Sequence, residues 1–186
     1  MFVDCSITFE PIPSDYAILK IHTLPETGGD TLWASAYEAY DRLSVPYRKF
    51  LEGLTAVHSA QRFKTVAARH GRSIRTEQRG APDNVGDALR AVHPVIRTNP
   101  ITGWKGLFVN KEYVTPTQVG ANVRFTKRIR EVTKDESDAI LAYLFRHISE
   151  NHDLQVRFKW NKNDIAIWDN RSVFHTATST TLQETS

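Results

Sequence analysis

The chain has 186 residues, of which 40% are hydrophobic and 24% charged, and its formal net charge is +3. At about 150 residues per domain this length predicts one domain, and the composition excludes a disordered or low-complexity chain. The single cysteine, Cys5, excludes an internal disulfide framework, and no apolar run approaches the roughly 18 residues of a membrane span, so we expect a cytoplasmic protein without a signal peptide.

The first 35 residues are predicted to be mainly β-structure. Residues 6–9 form a short β-like run that ends at prolines, and residues 16–24 alternate apolar and polar side chains with a period of two. Residues 27–30 (Thr-Gly-Gly-Asp) are typical of a turn, and a short strand should follow at residues 31–33.

Helices are predicted next. Ser35 and Ser44 can each cap a helix, and Pro46 suits the first turn of the second one. Residues 55–90 are polar and give weak signals, whereas residues 92–97 and 107–110 are strand-like on either side of a turn.

The strongest helix signal covers residues 134–150. Thr133 and Glu136 have the spacing of a capping box, and apolar side chains recur on one helical face from Ile140 to Ile148. Three β-like runs follow, at residues 154–160, 165–169 and 172–176. We therefore predict a mixed β fold with helical insertions, arranged as a partly antiparallel sandwich or barrel.

Common catalytic signatures are absent from the sequence. It contains no phosphate-binding G-x-x-x-x-G-K-[ST], no G-x-G-x-x-G and no H-E-x-x-H. A basic stretch runs from Arg62 to Arg79, but it lacks the interleaved aromatic residues of a single-strand-binding surface. A solvated face is the favoured interpretation of this stretch, an anion-binding site is the alternative, and we expect no nucleic-acid partner.

Two segments combine polar and aromatic residues in an unusual way: residues 168–177 (Trp-Asp-Asn-Arg-Ser-Val-Phe-His-Thr-Ala) and residues 27–33. His175 should lie on a strand and face the same way as Val173. From composition alone, His175 is more simply interpreted as a partly buried core histidine than as a ligand.

Together with Thr-Phe-Glu-Pro at residues 8–11 and His-Pro-Val-Ile-Arg-Thr-Asn-Pro at residues 93–100, these segments resemble the taurine dioxygenase (TauD/TfdA) family of Fe(II)- and 2-oxoglutarate-dependent dioxygenases. The four motifs occur in the family order and span most of the chain. The resemblance implies a double-stranded β-helix, or jelly roll.

The resemblance also implies a chemistry and a set of site residues. In this family two histidines and one carboxylate hold Fe(II), and 2-oxoglutarate and O₂ react at the open face of the metal with a small organic substrate. By resemblance, His175 is the distal iron-binding histidine, and Thr31 hydrogen-bonds the carboxylate of 2-oxoglutarate.

The proximal His-x-Asp pair of the family is replaced here by Asp4-Cys5-Ser6, and no His-x-Asp or His-x-Glu occurs elsewhere. Asp4 remains a candidate oxygen ligand. The family arginine beyond the distal histidine is also absent, since residues 178–186 contain no Arg or Lys. We expect residues 1–186 to be a single domain of this family lacking its N-terminal and C-terminal parts, with an insertion loop at residues 113–124.

Two functional hypotheses follow. The chain is either an Fe(II)/2-oxoglutarate-dependent dioxygenase or a catalytically inactive remnant of that fold that acts as a binding module. An incomplete jelly roll would expose strand edges, which favours a homo-oligomer.

Overall fold

The computed structural model describes residues 7–110 and 126–178. Within these ranges the chain is mostly β-structure with a few helices. The strands are β1 (Tyr16–Lys20), β2 (Thr31–Ser35), β3 (Thr55–Ser59), β4 (Arg90–Pro94), β5 (Ile96–Thr98), β6 (Lys105–Leu107), β7 (Thr126–Ile129), β8 (Gln155–Phe158), β9 (Ile165–Asp169) and β10 (Val173–Ala177). The helices are α1 (Ala36–Asp41), α2 (Val45–Glu52), α3 (Gln61–Arg69) and α4 (Lys134–Ser149), with a 3₁₀ turn at His152–Leu154.

The described strands form two three-stranded and two two-stranded sheets, and every pairing among them is antiparallel. In one three-stranded sheet β2 lies between β10 and β8, and in the other β3 lies between β4 and β7. β1 pairs with β9. The early strands β1 and β2 therefore pair with the late strands β8, β9 and β10, which brings both predicted β regions together.

The predicted helix starts are confirmed. The Ser35 side chain accepts a hydrogen bond from the Glu38 backbone N–H. Ser44 is the N-cap of α2, which has its proline in the first turn, but the Ser44 side chain makes no capping hydrogen bond. Both halves of the capping box form at α4, between Thr133 and Glu136. The side chains of Ser35 and Thr133 thus satisfy backbone N–H groups that have no partner inside a helix.

The core lies beneath α4 and the central strands. Leu141, Leu144, Phe145 and Ile148 are buried on one face of α4, as the sequence pattern predicted, and Ile140 packs against the same cluster. From the sheet side, Phe174 of β10 and Ile129 of β7 join this cluster. Each fully buried aliphatic side chain contributes about 1.5–3 kcal/mol, so this packing fixes α4 against the strands.

Three predictions differ from the structure. Residues 7–9 form a turn instead of a strand, because the Glu10 N–H donates to the Ile7 carbonyl oxygen (3.0 Å). The weak region 55–90 contains both β3 and α3, and the strand predicted at 92–97 is divided at Val95. None of the helices in the described ranges is both long and apolar enough to span a membrane.

Candidate functional site

His175 and Thr31 lie on the same face of one sheet. His175 of β10 is directly opposite Trp33 of β2, and Thr31 is opposite Ala177. Because side chains alternate across a strand, Thr31, Trp33 and His175 project to one side of the sheet. The structure thus brings together the two described residues that the family resemblance singled out.

An aromatic cluster surrounds His175. The Trp168 ring lies 4.9 Å from the imidazole, and Trp33 packs against Trp168 with centroids 5.6 Å apart. Trp160 lies 6.1 Å from Trp33 on the other side. Sequence reasoning had not assigned these tryptophans to the site. For Trp33 the sequence did contain a signal, because this residue lies two positions from Thr31 and therefore on the same side of the strand. For Trp168 it did not, because Trp168 reaches His175 from a strand of another sheet.

Burial sets the protonation state of His175. Loss of solvation lowers the pKa of His175 to about 4, because the charged imidazolium is disfavoured away from water. The imidazole is therefore neutral at pH 7 and keeps one nitrogen lone pair available. Its Nδ1 atom is buried and has no hydrogen-bond partner within the described part of the chain.

Polar groups without a partner in the described part of the chain lie close to His175. The indole nitrogens of Trp33 and Trp168 are buried, and neither has a partner among the described residues. Trp160 Nε1 donates to Thr31 Oγ1 (2.9 Å), which occupies an acceptor site of that hydroxyl and leaves its hydrogen free to donate. We define the His175 cradle as His175 together with its four neighbours, which are Thr31, Trp33, Trp160 and Trp168. A buried donor without a partner costs about 1–3 kcal/mol, so the cradle is arranged for an acceptor-rich group.

The cradle fits a carboxylate, because indole N–H and hydroxyl groups are donors and a carboxylate accepts several hydrogen bonds. For iron, the cradle offers a single ligand, the neutral imidazole of His175. Among residues 7–110 and 126–178 there is no group of three or more His, Cys, Asp or Glu side chains that could hold a metal ion. A complete site of two histidines and one carboxylate is thus not formed by these residues. Asp4 and the predicted insertion at 113–124 lie outside the described residues.

A second buried histidine cluster lies on the other three-stranded sheet. His58 of β3 is 0% exposed, and its Nδ1 lies 3.0 Å from Thr8 Oγ1. Asn110 Nδ2 also donates to Thr8 Oγ1 (3.2 Å), and Phe108 stacks on the imidazole. Burial, reinforced by neighbouring His93, lowers the pKa of His58 to about 3.

His93 of β4 completes this cluster. Its Nε2 lies 2.9 Å from the Thr8 carbonyl oxygen and 3.0 Å from that of Glu10. Both atoms are acceptors, so Nε2 carries the hydrogen and donates. Burial lowers the pKa of His93 as well. The two histidines therefore fasten the turn at residues 8–10 to the sheet.

Glu10 is held by a buried ion pair. Its side chain is 3% exposed and accepts two hydrogen bonds from the Arg79 guanidinium, at 2.5 and 3.0 Å. Arg79 also donates to the backbone carbonyls of Arg75 and Gly86. One arginine of the basic stretch is thus a structural anchor for the segment that follows Asp4, and is not solvated as the stretch as a whole was expected to be.

Comparison with known proteins identifies a family that matches most of the chain. The family model described as "Taurine catabolism dioxygenase TauD, TfdA family" matches residues 4–185. An alpha-ketoglutarate-dependent dioxygenase of Neocamarosporium betae is 47% identical over 180 residues, covering 92% of this chain and 48% of its own length. An alpha-ketoglutarate-dependent dioxygenase of Penicillium shearii is 42% identical over 200 residues, covering 91% of this chain and 50% of its own length.

A solved structure gives the same result. The crystal structure of a taurine dioxygenase from Burkholderia xenovorans superposes with a TM-score of 0.67 at 32% identity, covering 93% of this chain and 49% of that one. The chain therefore spans about half the length of the relatives it matches.

Proposed function

Because the chain belongs to the taurine catabolism dioxygenase TauD, TfdA family, we propose that it forms the cosubstrate-binding part of an Fe(II)- and 2-oxoglutarate-dependent dioxygenase. Its relatives are named alpha-ketoglutarate-dependent dioxygenases, which does not favour the alternative of an inactive binding module. We infer that its antiparallel sheets belong to a jelly roll. The substrate is proposed to be a small organic molecule, oxidised with O₂.

The observation that carries this proposal is the set of unused polar groups on the His175 cradle. The indole N–H groups of Trp33 and Trp168 and the hydroxyl of Thr31 are potential donors in the cradle. A carboxylate would satisfy them at once and remove the desolvation cost that they impose on the fold. This matches the role that the resemblance assigns to Thr31.

The residues of this chain bind and orient, and they exclude water. The bound iron and 2-oxoglutarate supply the oxidising chemistry of the family. His175, held neutral by burial, offers one ring nitrogen as a ligand without first losing a proton. Trp160 holds the Thr31 hydroxyl in place through its hydrogen bond, so that the hydroxyl hydrogen points away from the indole. The surrounding aromatic rings keep the cradle dry, which strengthens each hydrogen bond made there.

The remaining features of the proposal come from composition and sequence. We propose a cytoplasmic protein that self-associates and has neither a membrane nor a nucleic-acid partner. Asp4 is proposed as the carboxylate that joins His175 at the metal. Since these are two ligands and not three, Fe(II) affinity should lie far below that of a complete site.

Tryptophan fluorescence tests the cosubstrate site directly. We expect 2-oxoglutarate, added anaerobically with Fe(II), to quench the emission in a saturable way, because three tryptophans lie in the cradle. His175→Ala should weaken this binding by about tenfold or more, the value of one strong polar interaction. His152→Ala is the matched control, because His152 is exposed on the 3₁₀ turn.

Succinate formation from 2-oxoglutarate in the same samples tests turnover. Absence of saturable quenching, or equal quenching in His175→Ala and the parent protein, would contradict the assignment of the cradle. Calorimetry tests the metal site separately. Tight one-to-one binding of Fe(II) that disappears in His175→Ala would show that Asp4 is not the only partner of His175.

A further inference from the structure

We propose that Asp30 and Arg157 form a positioning pair for the cosubstrate, which acts by fixing Thr31 and does not touch the ligand. This inference rests on the proposed function, because it concerns the site at which Thr31 would bind 2-oxoglutarate. Asp30 directly precedes Thr31, and its Oδ2 atom accepts a hydrogen bond from Arg157 Nε at 2.6 Å. We call these two residues the Asp30–Arg157 clamp.

Thr31 lies at the end of the β10-β2-β8 sheet. It is the first residue of β2, and it pairs with Ala177, the last residue of β10, and with Phe158, the last residue of β8. Strand ends open more easily than strand centres, because fewer contacts hold them. His175, by contrast, is opposite Trp33 at the centre of β2. The strand pairing alone therefore holds Thr31 less firmly than it holds His175.

Asp30 ties this end of the sheet to both neighbouring strands. Its carboxylate binds Arg157 of β8, and its backbone carbonyl oxygen accepts a hydrogen bond from the Thr178 N–H (2.7 Å), directly after β10. The two preceding residues, Gly28 and Gly29, both have positive φ (77° and 75°), a conformation that residues with a Cβ atom disfavour. The glycine pair thus allows the turn that brings Asp30 to the end of β2.

The clamp lies on the face of the sheet opposite to the His175 cradle. Arg157 is directly opposite Leu32, whose side chain projects away from the Thr31 face and packs against the main core. Asp30, two residues before Leu32, contacts Arg157 as a diagonal cross-strand neighbour. Any effect of the clamp on a ligand in the cradle must therefore pass through Thr31.

Burial distinguishes the clamp from an ordinary surface ion pair. The Asp30 side chain is only 10% exposed, whereas that of Arg157 is 63% exposed. A buried carboxylate that loses its charged partner is driven towards water, because its desolvation is no longer compensated. Breaking the pair should therefore displace Asp30 and, with it, the neighbouring Thr31, which receives the hydrogen bond of the Trp160 indole.

Hydrogen exchange of the Trp160 indole N–H, followed by NMR, tests the clamp without any ligand. This N–H donates to Thr31 Oγ1 (2.9 Å), so its exchange rate reports whether Thr31 stays in place. We expect Asp30→Asn and Arg157→Gln each to accelerate the exchange by about tenfold, the factor that corresponds to one hydrogen bond between charged groups. Arg157→Lys keeps a charged donor and should restore slower exchange.

Fluorescence quenching then measures the affinity for 2-oxoglutarate in the same variants. We expect the dissociation constant to rise by about tenfold in Asp30→Asn and in Arg157→Gln, an effect typical of residues that orient a ligand-binding side chain. The double variant should lose no more than the more affected single variant, because the two residues act as one unit. Fe(II) affinity, measured by calorimetry, should change by less than about twofold, since the clamp does not contact His175.

Asp138→Asn is the matched control, because it breaks an ion pair of similar length on α4, with Lys134 at 2.7 Å. It should alter neither the indole exchange nor the affinity for 2-oxoglutarate. Equal effects in this control would overturn the proposal, as they would show a general loss of stability.

Unchanged indole exchange in both clamp variants would also overturn the proposal, and so would accelerated exchange with an unchanged dissociation constant for 2-oxoglutarate. The proposed function fails separately. A parent protein that binds no 2-oxoglutarate would contradict that function, whereas the exchange measurement would still decide whether the clamp holds Thr31 in place.

Discussion

His175 and His58 are both held neutral by burial, but their surroundings differ. His58 contacts Thr8 Oγ1, and His93 beside it donates to two carbonyl oxygens, so both imidazoles have protein partners. In this cluster, only Asn110 Oδ1 is buried without a partner among the described residues. Around His175, the imidazole Nδ1 and two indole nitrogens have no partner in the described ranges. His58 is fully buried and its imidazole has protein partners, whereas His175 is only partly buried and its Nδ1 has none among the described residues.

The difference separates a structural role from a binding role. A satisfied buried polar group contributes about 0.5–1.5 kcal/mol to stability, whereas an unsatisfied one costs about 1–3 kcal/mol. The His58 cluster should therefore raise the free energy of unfolding. The unsatisfied groups of the His175 cradle should lower it until a ligand binds them. The direction of the pKa shift alone would not distinguish the two, because burial lowers the pKa of both histidines.

The largest expected effect is from His58→Ala. Removing the imidazole leaves a cavity beside Phe108 and takes away a partner of Thr8, so we expect the free energy of unfolding to fall by about 3 kcal/mol. Urea denaturation measures this. His175→Ala should cost less than half as much. If it costs as much or more, the comparison between the two regions fails.

The pH dependence of stability gives a second, smaller effect. Folding holds the pKa of His58 at about 3, whereas in the unfolded chain it lies near 6.5. Between these values the unfolded state binds more protons, so the free energy of unfolding decreases as the pH falls below about 6.5, by at most about 1.4 kcal/mol per pH unit.

His58→Gln isolates this contribution, because glutamine keeps hydrogen-bonding capacity but does not titrate. We expect this variant to be less stable at neutral pH and to have a flatter dependence between about pH 7 and 5, where carboxylates add little. Urea denaturation at several pH values measures the slope. Parallel curves for the variant and the parent protein would contradict a neutral, buried His58. His93 should retain part of the slope, since its pKa is lowered too.

Much of the fold could be predicted where a local pattern determined it. The helix at residues 134–149 has both a capping box and a continuous apolar face, and both formed as predicted. β3 gave little signal because its sequence, Thr-Ala-Val-His-Ser, puts a histidine at a fully buried position. Hydropathy treats that histidine as polar, and only the contacts with Thr8 and His93 explain its burial.

The candidate site was predictable only in part. The motif resemblance found His175 and Thr31, which the strand register places on one face. It did not find the role of Trp168, because that residue reaches His175 from a strand of another sheet, and such a contact leaves no short-range spacing in the sequence.

The smallest predicted effect compares two tryptophans of the cradle. Trp160→Phe and Trp168→Phe remove the same part of a ring. Among the described residues, however, Trp160 donates a hydrogen bond, to Thr31 Oγ1, and Trp168 donates none. Trp160→Phe should therefore lower the free energy of unfolding by about 1 kcal/mol more than Trp168→Phe does. The order is reversed for 2-oxoglutarate affinity, which Trp168→Phe should lower more than Trp160→Phe does. Trp168→Phe removes a direct donor to the ligand, whereas Trp160→Phe acts only through the orientation of Thr31. Urea denaturation and calorimetry of the two variants measure both quantities. Equal losses of stability would mean that the Trp168 indole is satisfied in the free protein, and the carboxylate assignment of the cradle would lose its main support.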